Sequence, residues 1–182
     1  MKTYRKLFQR VIESSNSDVW DTAVLEWEID DCEEDESLAS SCICGKESLR
    51  YLFTIKNKEN GKILYPIGSS CIKKFDRDDL RDTANINVKM FELFHAVDKN
   101  EYIELSPELF SKKLLLDLYI NGAFKPNKYN SFNGKVDYEF MLKMFNIRDK
   151  SNISSLQRKK IKAIILNSII PYINNLLENK IR

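Results

Sequence analysis

The stretch from Cys42 to Phe75 constrains the fold of this chain more than any other segment. Two cysteines one residue apart, Cys42 and Cys44, precede an alternating strand, a hairpin turn, a return strand and then Cys71. A β-hairpin of about this length brings its two ends together, so we expect the third sulfur to lie beside the first two. Grouped thiolates are typical ligands of zinc. The sequence therefore predicts a small cysteine clip.

Zinc in a structural site takes four ligands. The expected metal ligands are Cys42, Cys44, Cys71 and Cys32. His95 or Asp31 could take the place of Cys32. Four protein ligands would leave no open position, which makes the expected cofactor a structural zinc ion. The alternative is that three small buried thiols pack beneath the hairpin without a metal.

Apolar periodicity predicts the elements of the N-terminal part. Residues 3–14 have the spacing of an amphipathic helix. Residues 22–31 alternate between apolar and polar side chains, with Val24 as the exception, and suggest a half-buried strand. The acidic residues 32–41 have little to bury, which predicts a mobile loop. An Asn60-Gly61 turn predicts a hairpin of residues 50–57 and 63–67, and Pro66 places the return strand at a sheet edge.

Helical periodicity follows from Asp76 onward. Ser106 and Pro107 have the residue types of a helix start, for a helix that we expect to run through Leu118 and stop near Gly122. Residues 123–134 are expected to form a loop, and residues 138–145 a short helix. A longer helix should be capped by Ser154 or Ser155 and kinked or ended by Pro171.

The predicted fold class is α+β. A cysteine-clip module over residues 1–80 should contain an N-terminal helix and a three-stranded antiparallel sheet. An all-helical domain over residues 81–182, with four or five helices, should follow it.

The sequence offers few parts for catalysis. His95 is the only histidine, so nucleophilic triads and paired-histidine metal sites lack a residue that they need. The five glycines of the chain have neither the spacing of a P-loop nor that of a dinucleotide-binding loop. We therefore predict no catalytic residues and a protein that is not an enzyme. A nuclease built on clustered carboxylates and a metal ion is the enzymatic alternative.

Charge is segregated along the chain. Eight acids and no base lie between Glu26 and Ser41, whereas residues 143–182 carry nine bases and two acids. Such blocks indicate interaction surfaces more clearly than the net charge of +2 does. No apolar run approaches the ~20 residues of a membrane helix. Four cysteines are too sparse for a secreted disulfide scaffold, so we expect a cytoplasmic protein.

The acidic block is the candidate partner-binding surface, because a line of carboxylates can fill a basic groove that normally takes phosphates. Its expected residues are Glu26, Glu28, Asp30, Glu33, Glu34, Asp35 and Glu36. A solvated loop with no partner is the alternative.

The basic residues are candidates for contacts with nucleic-acid phosphates. They are Lys73, Lys74, Arg158, Lys159 and Lys162. Residues 158, 159 and 162 share one face of a helix, and the alternative is an ordinary solvated face. Four aromatic residues have side chains that can stack on the bases of a single strand, but we expect them to anchor the core or loops. They are Tyr51, Tyr65, Tyr129 and Phe132.

Residues 20–80 resemble a module in small proteins of Gram-positive bacteria and their phages. The likeness rests on Cys42-x-Cys44-Gly45, on Asn60-Gly61 and on the string from Ile67 to Phe75. The helical tail is similar to tails that follow this module. Mobile-element proteins of this size without enzyme motifs include type II-A anti-CRISPR proteins, which inhibit Cas9.

The resemblance implies a mobile-element protein that acts in the cytoplasm of a host bacterial cell. Its expected partner is a nuclease ribonucleoprotein such as Cas9 with guide RNA, inhibited by occupation of the guide- or DNA-binding surface. Direct binding of DNA or RNA by a zinc-clip module is the alternative. We expect neither a membrane partner nor a small-molecule substrate.

Overall fold

A computed structural model describes the backbone of residues 2–180 and the side chains of residues 4–178. The predicted α+β class is confirmed, with a three-stranded antiparallel sheet, an N-terminal helix and a helical C-terminal half. The chain forms two compact units, Met1–Val88 and Lys89–Arg182. None of the helices in the described part of the chain combines the length and the apolar character needed to cross a membrane.

The first unit holds the sheet and short helices around it. Its elements are α1 (Lys2–Ser14), α2 (Trp20–Ala23), a 3-10 turn (Val24–Glu26), β1 (Trp27–Glu34), β2 (Tyr51–Asn57), β3 (Ile63–Ile67) and α3 (Ser69–Ile72). A long helix, α4 (Asp78–Asp98), begins in this unit and continues into the second.

The sheet has the order β1-β2-β3, so β2 lies in the centre and both neighbours are antiparallel to it. Phe53 of β2 lies opposite Cys32 of β1 and also opposite Ile67 of β3. Phe53 and Ile67 are fully buried, which places the core of the unit under this row. Pro66 lies in β3, an edge strand of this sheet, as the sequence predicts.

The predicted strand over residues 22–31 begins too early. α2 and the 3-10 turn occupy the chain up to Glu26, and the strand starts only at Trp27. Ala23, Val24 and Trp27 are buried together, at the one- and four-residue spacing of a helix. Val24, which does not fit strand alternation, therefore indicates that this segment is helical.

The acidic segment is more ordered than predicted. β1 continues to Glu34, so Cys32 lies in a strand and not in a loop. Beyond it, the Asp35 carboxylate accepts hydrogen bonds from the backbone N–H groups of Ser37 and Ser40 at 3.0 and 2.9 Å. Ser40 also forms a β-bridge with Leu49. These bonds fix the chain that leads to Cys42.

The second unit consists of helices around an aliphatic core. After α4 they are α5 (Lys112–Ile120), α6 (Gly134–Asn146), α7 (Ser155–Ile164), a π-helical segment (Ile165–Ile169) and α8 (Ile170–Lys180). The fully or almost fully buried residues of this core include Leu114, Leu115, Leu118, Met141, Met144, Ile169 and Ile173. The predicted cap at Ser154 is confirmed, since its side chain accepts from the Gln157 amide.

Two helix boundaries of this unit differ from the prediction. Ser106 and Pro107 lie in a turn, and α5 begins only after Ser111, whose hydroxyl accepts from the Leu114 amide at 3.0 Å. The helix that begins at Ser155 loses its regular α-helical form after Ile164, before the kink or end that the sequence predicts at Pro171, which lies in the first turn of α8. Proline has no backbone N–H to donate to the preceding turn. The π-helical segment before Pro171 accommodates the hydrogen bond that is therefore lost.

Glu26 is buried and joins three parts of the first unit. Its carboxylate accepts hydrogen bonds from the backbone N–H groups of Asn16 and Ser17, both at 2.8 Å, and from the Asn57 side-chain amide at 2.7 Å. Burial opposes ionisation, but these three bonds outweigh it and hold the pKa of Glu26 below its ordinary value. The carboxylate therefore ties the chain after α1 to the hairpin turn.

Replacing Glu26 with glutamine should lower the free energy of unfolding at neutral pH by about 1–3 kcal/mol, because glutamine keeps one acceptor oxygen and its NH₂ group would face at least one of the three donors. The folded-state pKa is depressed, so the stabilisation is complete above the ordinary pKa of 4.5 and is lost as the pH falls through the lower folded value. Urea unfolding should show that the parent protein has a higher free energy of unfolding than Glu26→Gln at pH 7, and that this difference becomes smaller in acid.

The matched control is Glu28→Gln, on the exposed face of β1, which should change stability little. Equal stability of the parent protein and Glu26→Gln at pH 7 would contradict the structural role of this carboxylate.

Candidate metal centre

The sulfur atoms of Cys42, Cys44 and Cys71 converge in the first unit, as the hairpin predicts. All three side chains are buried, and their Sγ atoms lie within 4.8 Å of one another. The Sγ atoms of Cys42 and Cys71 are 3.7 Å apart, and all three cysteines are free rather than joined in a disulfide. This buried group could hold a metal ion.

A tight turn brings Cys42 and Cys44 together. The Gly45 N–H donates to the Cys42 carbonyl at 2.7 Å, and the Cys42 N–H donates to the Lys46 carbonyl at 2.8 Å. Gly45 has φ +87°, in the left-handed region where glycine is preferred. The Ile43 N–H donates to the Pro66 carbonyl at 3.0 Å, which joins the turn to the end of β3.

Gly68 brings the third cysteine into place and was missed in the sequence. Its backbone N–H donates to the Cys42 Sγ at 3.4 Å, and its carbonyl accepts from the Cys71 N–H at 2.8 Å. A Cβ added at Gly68 would lie 2.8 Å from the Leu49 Cδ2 atom, so only glycine fits without a shift. The one available signal was the position of this glycine, three residues before Cys71.

One sulfur–sulfur distance can be compared with the geometry of a thiolate metal site. A Zn–S bond of ~2.3 Å in a tetrahedral arrangement places neighbouring sulfurs about 3.8 Å apart. The Cys42–Cys71 separation of 3.7 Å agrees with this edge length. The backbone N–H of Gly68 adds a hydrogen bond to one sulfur, which supports its thiolate form.

The pKa values of Cys42 and Cys71 also favour a thiolate at this site. The hydrogen bond with the Cys71 thiol is the largest cause that lowers the pKa of Cys42 to about 5; burial opposes it, and the N–H groups of Cys44 and Gly68 add to it. The hydrogen bond with Cys42 and then burial raise the pKa of Cys71. The Cys42 sulfur is therefore the one whose thiolate form the site favours, and a bound cation would favour ionisation of its neighbours.

Cys32 does not belong to this group, which corrects the expectation that it supplies the fourth ligand. It lies on β1, two strand spacings or about 10 Å from the end of β3. Asp31 and His95 are also outside the three-sulfur group. Within the described residues, the cluster supplies three ligands and no fourth cysteine, histidine or carboxylate.

The expected acidic surface is divided by the structure. Glu26 is buried in the bonds described above and does not face solvent, which corrects its assignment to a partner-binding surface. Glu34 pairs with Arg50 at 2.8 Å, and its side chain is only 8% exposed. The Ser37 hydroxyl and then Ser40 lower the pKa of Asp35 to about 2, because this carboxylate caps the turn. Each of these three therefore has a structural partner.

The exposed acids that remain on β1 form a continuous group. We call Glu28, Asp30, Asp31 and Glu33 the acidic edge. Glu33 also accepts a hydrogen bond from the Tyr65 hydroxyl at 2.9 Å. Glu36 is exposed in the turn that follows β1.

The predicted basic residues fall into two groups in different units. Lys73 is exposed after α3, and the Lys74 Nζ lies 5.6 Å from the centroid of the Tyr4 ring. Arg158, Lys159 and Lys162 are exposed on α7, as its helical spacing predicts. Arg182 and the side chain of Lys180 lie outside the described residues.

The aromatic residues do not behave alike. Tyr51 is half-buried and Tyr65 is bonded to Glu33, but Tyr129 and Phe132 are exposed to solvent. Of the expected core or loop positions, Tyr129 and Phe132 therefore occupy the loop that joins α5 to α6 and not the core.

The cluster predicts that the protein is purified with about one metal ion per chain. Cys71→Ser should lose this metal. Its free energy of unfolding should fall by more than about 4 kcal/mol, because the free energy of metal binding contributes to folding. Elemental analysis and denaturant unfolding measure both effects.

Cys32→Ser provides the matched control, because Cys32 is buried but lies outside the cluster. It should keep the metal content of the parent protein. Loss of metal in Cys32→Ser and not in Cys71→Ser would contradict the site.

Comparison of the chain with protein families, with curated proteins and with solved structures finds no match.

Proposed function

We propose that the protein is a non-enzymatic inhibitor from a mobile element that binds an RNA-guided nuclease such as Cas9. In this proposal the acidic edge occupies a basic groove of the nuclease that otherwise takes guide RNA or DNA. The single observation that carries it is the row of exposed carboxylates on β1, at the edge of a sheet.

A β-bulge concentrates the charge of this row. Regular alternation would send Asp30 and Asp31 to opposite faces of the sheet. The register of β1 against β2 shifts between Ile29 and Asp31, and both aspartates are exposed. Glu28 and Glu33 flank them, so the four carboxylates extend over roughly 17 Å of strand.

Charge on an edge strand has a protective role as well, since it opposes pairing with the edge of another sheet. This strand exposes four acids, with two of them adjacent at the bulge. A dense row of carboxylates is complementary to a groove lined by Lys and Arg, and it accelerates encounter at low salt.

The metal site supports this surface indirectly. We propose that the ion is zinc with a structural role, held by the thiolates of Cys42, Cys44 and Cys71, while its fourth position is filled by a ligand other than the described cysteines, histidine and carboxylates. It would fasten the Cys42–Gly45 turn to the end of β3 and stiffen the sheet that displays the acidic edge. A preorganised surface loses less conformational entropy when it binds.

The test measures inhibition of target cleavage by a purified Cas9–guide RNA complex. The edge variant combines Glu28→Gln, Asp30→Asn, Asp31→Asn and Glu33→Gln, which keeps side-chain size and removes the charge. It should need at least about tenfold more protein for half-inhibition, and added salt should weaken inhibition by the parent protein.

The control variant combines Asp18→Asn, Asp21→Asn, Glu47→Gln and Glu59→Gln. These exposed acids lie in the same unit, so the change in net charge is identical. It should inhibit like the parent. Absence of inhibition by the parent, or equal weakening in both variants, would refute the proposal.

A further inference from the structure

A loop of the second unit exposes two large aromatic side chains. Tyr129 is 82% exposed and Phe132 is 74% exposed, within the segment that joins α5 to α6. We call residues 125–133 the aromatic loop. Isolated exposed apolar side chains are common and need no explanation. Two rings within four residues of one ordered loop are less common and suggest a contact surface.

Asn130 holds this loop in one conformation. It is almost fully buried, and its Oδ1 accepts from the backbone N–H groups of Asn127 and Asn133 at 2.8 and 3.2 Å. Its Nδ2 donates to the Lys125 carbonyl at 3.0 Å and to the Asp137 Oδ2 at 2.8 Å. All four hydrogen-bonding positions of the amide are therefore used, and the rings extend from a fixed frame.

The backbone beside the rings is constrained as well. Ser131 and Phe132 have φ of 55° and 57°, a region that side chains other than glycine and asparagine seldom adopt. The Phe132 N–H donates to the Asn127 carbonyl at 2.8 Å, which helps to maintain this conformation. The exposure of the Phe132 ring is thus part of the loop's hydrogen-bonded conformation.

The loop is basic. Residues 121–136 contain Lys125, Lys128 and Lys135 and no acid. Lys135 pairs with Glu139 at 3.6 Å. Lys125 and Lys128 form no ion pair with any described residue, and the Lys128 Nζ lies 4.9 Å from the centroid of the Tyr129 ring. The Lys128 ammonium therefore lies over one face of the exposed Tyr129 ring.

A cavity of about 820 Å³ opens next to the loop. Lys125, Tyr129, Lys160 and the amides of Asn127 and Asn167 contribute to its lining. Asp137 and Lys160 form an ion pair there at 3.7 Å. The volume lies within the range of small-ligand sites, and the Asn167 amide can both donate to and accept from the edge of a base.

We propose that the aromatic loop is a binding site for single-stranded nucleic acid. Bases stack on Tyr129 and Phe132, while Lys125 and Lys128 contact the phosphates. Alternation of ring faces and cations is the chemistry that binds single strands without strict sequence preference. A duplex fits less well, because its bases already stack on one another. The site goes beyond the proposed function and needs no residue of the acidic edge.

The experiment uses fluorescence anisotropy with three labelled probes of about 12 nucleotides, namely oligouridine RNA, oligothymidine DNA and a DNA duplex. The parent protein should bind both single strands more tightly than the duplex. The RNA and DNA arms identify which strand is preferred. Tyr129→Ala/Phe132→Ala should weaken single-strand binding at least about tenfold. Its thermal unfolding should match that of the parent, since both rings are exposed.

Tyr102→Ala is the matched control, because Tyr102 is 72% exposed in the same unit but lies outside the aromatic loop. It should leave the affinity unchanged. Lys125→Ala/Lys128→Ala should reduce the slope of log affinity against log salt by about 1.4, for two phosphate contacts on a single strand.

Three results would overturn the proposal. The first is no binding of single strands by the parent protein at low salt. The second is equal affinity of the parent and Tyr129→Ala/Phe132→Ala. The third is loss of binding on charge reversal at Arg158 and Lys159 with no effect of the aromatic variant, which would place the site on α7.

Discussion

Three sulfur atoms in one buried space constrain the first unit more than any other contact. Hydrogen bonding between Cys42 and Cys71 lowers the pKa of the first thiol and raises that of the second, and the buried group of three sulfurs could hold a metal ion. The sulfurs come from two segments, the turn at Cys42–Gly45 and the helix after Gly68. Any energy gained by metal binding is therefore also energy that closes the hairpin between them.

The convergence of these sulfurs was predictable because it follows from local pairing. An Asn60-Gly61 turn fixes the hairpin, and Pro66 identifies an edge strand, so the ends of β2 and β3 are determined within about 25 residues. The fourth ligand was not predictable in this way. The position of Cys32 depends on β1 pairing with the far side of β2, a long-range contact that leaves no local pattern.

Other errors arose where one pattern fits two structures. Ala23 and Trp27 satisfy both strand alternation and helical spacing, and the burial of Val24 together with the exposure of Leu25 distinguishes the two structures. Ser106 and Ser111 both have the residue type of a helix cap, and it is Ser111 that caps α5, by accepting from the Leu114 amide. Formal charge in the sequence also does not distinguish exposed acids from acids with structural partners. Glu26, Glu34 and Asp35 count as acids in the sequence, yet each is held by partners that only the fold brings near.

The two proposed surfaces have different energetic roles. Exposed ion pairs contribute about 0–1 kcal/mol each, so the four carboxylates of the acidic edge would mainly direct encounter and orientation. Base stacking on exposed rings contributes more per contact and depends less on salt. A ribonucleoprotein offers both complements, a basic protein groove and a single-stranded RNA. Two modest sites on one chain that engage the same particle gain affinity from effective concentration, without a large interface at either site.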